Sequence, residues 1–133
     1  MMAGPFAETL AFELAPGPMA GSGARRALVA GNGTLPSSVR DDVLLLATEL
    51  VTNAVRHSTA GPGVPVRVEL RRGTDILRVA VFDEGTGFTA EPPHERNEAA
   101  GWGLSLVDRI ADRWAVTLTG AGTCAWFEIG YAR

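Results

Sequence analysis

Glu49 and Asn53 stand four residues apart, and Arg56 and His57 follow three and four residues beyond Asn53. On a helix that spacing lines the polar groups along one flank. A carboxylate and an amide aligned in this way can orient a water or hydroxyl and hold a hard cation such as magnesium through oxygen. The same spacing also fits an ordinary solvated helix face. A second cluster, Asp83-Glu84-Gly85-Thr86-Gly87, leaves the end of an alternating apolar run. Its glycines let the backbone approach a ligand closely, and its aspartate can accept a hydrogen bond from an exocyclic amine. A tight turn with Asp at its first position is the plainer alternative. The third cluster, Gly101-Trp102-Gly103-Leu104, precedes a helical pattern. Free backbone N–H groups there suit phosphate, although a hinge followed by a helix start has the same composition.

These residues need elements to hold them. Glu8 to Leu14 alternates as a strand, and Met19 to Ala30 fits a helix closed by Gly31-Asn32-Gly33. Ser37 to His57 carries the clearest helical signal, with Ser37 or Ser38 as cap, Asp41 and Asp42 near its start, and Val43, Leu46, Leu50 and Ala54 at helical spacing. Val64 to Arg71 and Ile76 to Phe82 alternate around a turn at Arg72-Gly73-Thr74-Asp75, which predicts a hairpin. The stretch 83–100, with Pro92-Pro93 and many charges, reads as a long mobile loop. Gly101 to Ala111 is expected to be helical, and Trp114 to Thr119 and Ala125 to Tyr131 are the last two strands. The order mixes hairpins with helices and predicts an α+β sandwich, with the helices packed on one face of a mixed, mostly antiparallel sheet.

Composition narrows the function. The 133 residues make one domain, with 46% hydrophobic residues supplying a core. A net charge of −3 argues against direct nucleic-acid binding. All 12 basic residues are Arg, which excludes a P-loop lysine or a Schiff base. A single cysteine, Cys124, forms no internal disulfide, and no signal peptide or membrane span is evident. A cytoplasmic location is expected.

Taken together, ELVTNAVRH at 49–57, DEGTG at 83–87, GWGL at 101–104 and GTCAWFEI at 122–129 resemble the N box, the two glycine boxes and the closing strand of the GHKL ATPase family. The match is closest to its small anti-sigma-factor and serine-kinase branch, and it covers nearly the whole chain. The resemblance implies the Bergerat fold, with ATP and Mg2+ as cofactors and a lid after the first glycine box. It implies that Glu49 is the general base and that Asn53 binds the magnesium ion. Asp83 then receives the adenine amino group, with Gly85 and Gly87 shaping the pocket beside the base. Gly101, Gly103 and Leu104 bring helix-start amides to the phosphates, and Thr123 completes the adenine hydrogen bonding. Arg56 and Arg96 are the candidates for cationic help at the γ-phosphate, with a surface salt bridge the favoured role of Arg96, while His57 is a packing residue at the helix end. Trp102 between the glycines and the short lid depart from the family pattern.

Two functions follow from that resemblance. One is an anti-sigma factor with serine/threonine kinase activity toward a STAS-domain anti-anti-sigma partner. The other is an ATP-dependent module that sequesters a sigma factor or another partner without significant kinase activity; Glu49 favours the first. The chain is too short to include a dimerising phospho-acceptor helix pair or a transducer domain, and a complete small protein is expected. A homodimer is expected too, paired through the sheet side opposite the ATP pocket. Leu10, Phe12 and Leu14 are the candidate patch, although as alternating positions of one strand they would equally cover the core of a monomer, and Val66, Val68 and Leu70 with Leu77, Val79 and Val81 are taken to divide between the two sheet faces.

Overall fold

A strand whose apolar residues recur at every second position buries one face, and the strands follow that rule around a common layer. The computed structural model describes residues 6–31, 35–57, 63–84, 104–119 and 122–131. Over them the chain runs β1 (Phe6–Leu14), α1 (Ala20–Ala30), α2 (Arg40–His57), β2 (Val66–Gly73), β3 (Ile76–Asp83), α3 (Ser105–Ile110), β4 (Arg113–Thr119) and β5 (Gly122–Gly130).

The strands form one sheet in the order β1-β2-β3-β5-β4. The α+β fold expected from the sequence is the one observed, and within its sheet, expected to be mixed and mostly antiparallel, all four described pairings are antiparallel. The reason lies in the strand order. Successive antiparallel pairings leave β3 and β4 running in the same direction, but β5 lies between them, so no parallel pair forms.

Register assigns the faces. Leu10 pairs with Leu70, Leu70 with Val79, and Val79 with Phe127; one step along, Phe12, Val68, Val81 and Ala125 form the next row. Val66, Val68, Leu70, Leu77, Val79, Val81 and Phe127 are all buried at 1% exposure or less. Val66, Val68 and Leu70, and likewise Leu77, Val79 and Val81, are separated by two, so each set points to a single face. The expected division of these residues between two faces is therefore corrected. Leu10, Phe12 and Leu14 also pack against this core, so the stripe proposed for pairing with another copy faces the chain's own interior.

The long helix α2 covers the sheet's inner face with Val43, Leu44, Leu46, Ala47, Leu50 and Val51, none more than 1% exposed. Ser37 and Ser38 lie in the turn before it, where the Val39 amide donates to the Pro36 carbonyl at 3.1 Å. Asp41 and Asp42 occupy its first turn, where the helix dipole favours negative charge. Gly21 brings α1 close to α2: a Cβ there would lie 3.0 Å from Thr52 Oγ1 and 3.2 Å from Thr48 Cγ2.

The outer sheet face is polar and aromatic. Glu128, only 5% exposed at its side chain, lies 3.1 Å from Arg78 Nε and 3.3 Å from Arg113 Nη1. The Arg78 guanidinium sits 4.0 Å from the centre of the Trp126 ring. Two cations offset the cost of burying one carboxylate. No helix among the described residues is long and apolar enough to cross a membrane.

Candidate functional site

Among the described residues, the helix–sheet layer holds a hollow where polar groups meet an apolar wall. Leu50, Asn53 and Ala54 come from α2, Val81 and Asp83 from β3, Val116 from β4, and Thr123 and Ala125 from β5; Leu104, just before α3, closes the ring. Among the described residues the hollow encloses about 10 Å³ of free volume, the room of a single water.

Each polar member is placed by the regularity of its element. Asp83 ends β3 in the same two-residue series as Leu77, Val79 and Val81, so it inherits their inward direction and is 5% exposed. Thr123 is its register partner on β5 and belongs to the inward series of Ala125 and Phe127. Asn53 follows Leu46 and Leu50 along α2 and is 4% exposed; its Nδ2 donates to the Glu49 carbonyl at 2.9 Å.

Two oxygens in this hollow have no hydrogen-bond partner among the described residues, Asn53 Oδ1 and Thr123 Oγ1. A buried acceptor left unmatched costs about 1–3 kcal/mol. Native proteins keep such groups where something else satisfies them. The described residues hold no group of three or more His, Cys, Asp or Glu side chains able to cage a metal. A single unmatched amide oxygen nonetheless fits magnesium, which retains waters and takes few protein ligands. Asn53 is the residue that would hold it.

Of the residues singled out in the sequence, the structure thus gathers Asn53, Asp83, Leu104 and Thr123. Glu49 lies one turn before Asn53, half-buried and outside the ring of lining residues. Arg56 is exposed on the next turn, and His57 is the last residue of α2. Gly85, Gly87, Gly101, Gly103, Arg96 and Trp102 lie outside the described residues, as do the lid through residue 100 and the first part of the helix expected from Gly101. The described part of that helix is the six-residue α3.

Apart from Leu104, no residue of the apolar wall is among the site residues expected from the sequence. Val81 and Ala125 were legible in retrospect, because each lies two residues from a polar site residue on the same face. Ala54 and Ala125 keep the hollow open because their side chains end at Cβ. Strand β5 also begins at Gly122 rather than at Ala125, which brings Thr123 out of the expected turn and into the sheet.

A second hollow, of about 130 Å³, lies on the outer face among Glu69, Arg71, Arg78, Ala80, Phe82, Cys124 and Trp126. Burial pushes the Cys124 thiol up from its ordinary pKa of 9.0, Arg78 pulls it down in part, and Glu69 adds to the rise. Cys124 is therefore a poor nucleophile at neutral pH.

A family model described as histidine kinase-like ATPase domain matches residues 18–129. That span runs from the turn before α1 to the penultimate residue of β5 and includes every residue of the inner hollow. No curated protein matches the chain.

Proposed function

This chain belongs to the histidine kinase-like ATPase domain family, and from that premise we propose that it is an ATP-binding regulatory protein with Mg-ATP-dependent serine/threonine kinase activity. Its partner is a sigma factor, a STAS-domain anti-anti-sigma protein that receives the phosphoryl group, or both.

One observation carries the nucleotide reading: a buried aspartate, a threonine hydroxyl and an asparagine oxygen meet in one apolar hollow, and the last two are unmatched. Asp83 accepts the amine of adenine while Val81, Val116 and Ala125 contact the ring, and Thr123 donates or accepts at the same edge. Asn53 turns its free oxygen toward the phosphates. Magnesium, when bound, neutralises phosphate charge during transfer. Glu49, beside Asn53 on the α2 flank, accepts the proton of the attacking hydroxyl as general base.

Homodimerisation belongs to the same proposal. With the β1 stripe used internally, the pairing surface is the outer sheet face, where Phe82 and Trp126 are half-buried.

Co-purification from the native cell followed by mass spectrometry tests the partner, and transfer of labelled γ-phosphate to the recovered protein tests the activity. Recovery of a sigma factor without any transfer leaves the sequestering module as the function. A preparation that binds no adenine nucleotide ends both.

A further inference from the structure

We infer that Gly122 is a specificity-determining residue of the nucleotide site, a positioning residue that acts through Asp83. The inference rests on the nucleotide reading above.

Gly122 opens β5 with φ +144°, a backbone conformation that L side chains rarely adopt. Its surroundings forbid a side chain independently of that. A Cβ built on Gly122 would lie 2.0 Å from the carbonyl oxygen of Asp83, 2.9 Å from Glu84 Cα and 3.0 Å from the Asp83 carbonyl carbon. All three are backbone atoms, which cannot swing aside as the end of a long side chain can. The next residue, Thr123, is the register partner of Asp83. The contact therefore falls where the two polar groups of the base site are brought together.

The consequence for recognition is geometric. Relieving a 2.0 Å approach to ordinary contact moves β5 or the end of β3 by about 1 Å or more. A hydrogen bond to an amine tolerates only about 0.5 Å of variation in length. Displacements of that size in a site cost about 10²-fold where geometry is decisive. Gly122 thus permits the strand approach through which the Asp83 carboxylate and Thr123 hydroxyl meet one edge of a base. The ligand property it protects is preference for a 6-amino purine over a 6-oxo purine.

The test compares ADP with inosine 5′-diphosphate, which carries oxygen in place of the amine, by titration calorimetry. Wild-type protein is expected to favour ADP by about tenfold or more. Gly122→Ala is expected to bring the two affinities within about threefold, mainly through loss of ADP binding. Gly63 supplies the control: it also has positive φ, +88°, but a Cβ there meets nothing within 4 Å, so Gly63→Ala carries backbone strain and should keep the preference. Because Gly122 acts through Asp83, adding Gly122→Ala to Asp83→Ala should leave the ADP-to-inosine ratio of the single Asp83 variant unchanged.

A folded Gly122→Ala that retains the wild-type preference overturns the inference while leaving the nucleotide reading intact. Additive losses in the double variant also overturn it. Failure of Gly122→Ala to fold, with Gly63→Ala folded, would make the glycine a requirement of the sheet and remove its specificity role. A wild-type protein that binds neither nucleotide ends the reading beneath it.

Discussion

Asp83 on β3 and Thr123 on β5 are direct register partners in antiparallel strands, 40 residues apart in sequence and lining the same hollow. The pairing places a buried carboxylate beside a hydroxyl.

Asp83→Asn substitutes an amide for the carboxylate that accepts the adenine amine. A mismatched polar contact costs about 1–3 kcal/mol, so ADP and ATP affinity should each fall by about tenfold or more. Titration calorimetry measures this, and wild-type binding of GTP as tight as ATP would remove the adenine assignment.

Asn53→Ala removes the unmatched oxygen and should abolish the gain in ATP affinity that magnesium provides. ATP titrated with magnesium should then bind as it does with EDTA. Retention of a full magnesium increment would place the ion elsewhere.

Glu49→Gln preserves size and loses the base. Nucleotide affinity should stay within about threefold of wild type while phosphoryl transfer falls by about a hundredfold or more. Loss of binding in this variant would make Glu49 a structural residue.

Cys124 links stability to alkaline pH. Its thiol is held neutral in the fold and its pKa is raised from 9.0, so the unfolded chain releases this proton first. The resulting contribution is fully present below pH 9.0 and is lost as pH rises through the folded-state value. Urea unfolding of wild type and Cys124→Ser should diverge above pH 9.0, wild type losing more stability; parallel curves would show that the thiol titrates alike in both states.

Light scattering at several concentrations checks the dimer. The mass should approach twice 14.0 kDa and fall toward 14.0 kDa when Phe82 and Trp126 are both replaced by Ser. A mass of 14.0 kDa throughout for wild type would leave the outer face unpaired.

The sequence by itself determined the local elements and much of the polar inventory. Two-residue alternation in VRVEL and LRVAV marked β2 and β3, and the four-residue spacing of Glu49 and Asn53 put them on one flank of α2, because strand and helix periods are set by a few neighbouring residues. Asp83 was legible as the end of its strand for the same reason. Tertiary structure decided what local periods cannot encode. The order β1-β2-β3-β5-β4 made the described sheet wholly antiparallel and brought Thr123 opposite Asp83. It also turned Leu10, Phe12 and Leu14 toward the chain's own core. Register is a long-range choice, made by which apolar rows can share one buried layer, and a stretch such as Gly120 to Thr123 carries turn composition whether or not a neighbouring strand recruits part of it. The closeness of Gly122 to the Asp83 carbonyl is of that kind: in sequence it is one glycine among 16, and only the approach of β5 to β3 gives it a neighbour that no side chain could share.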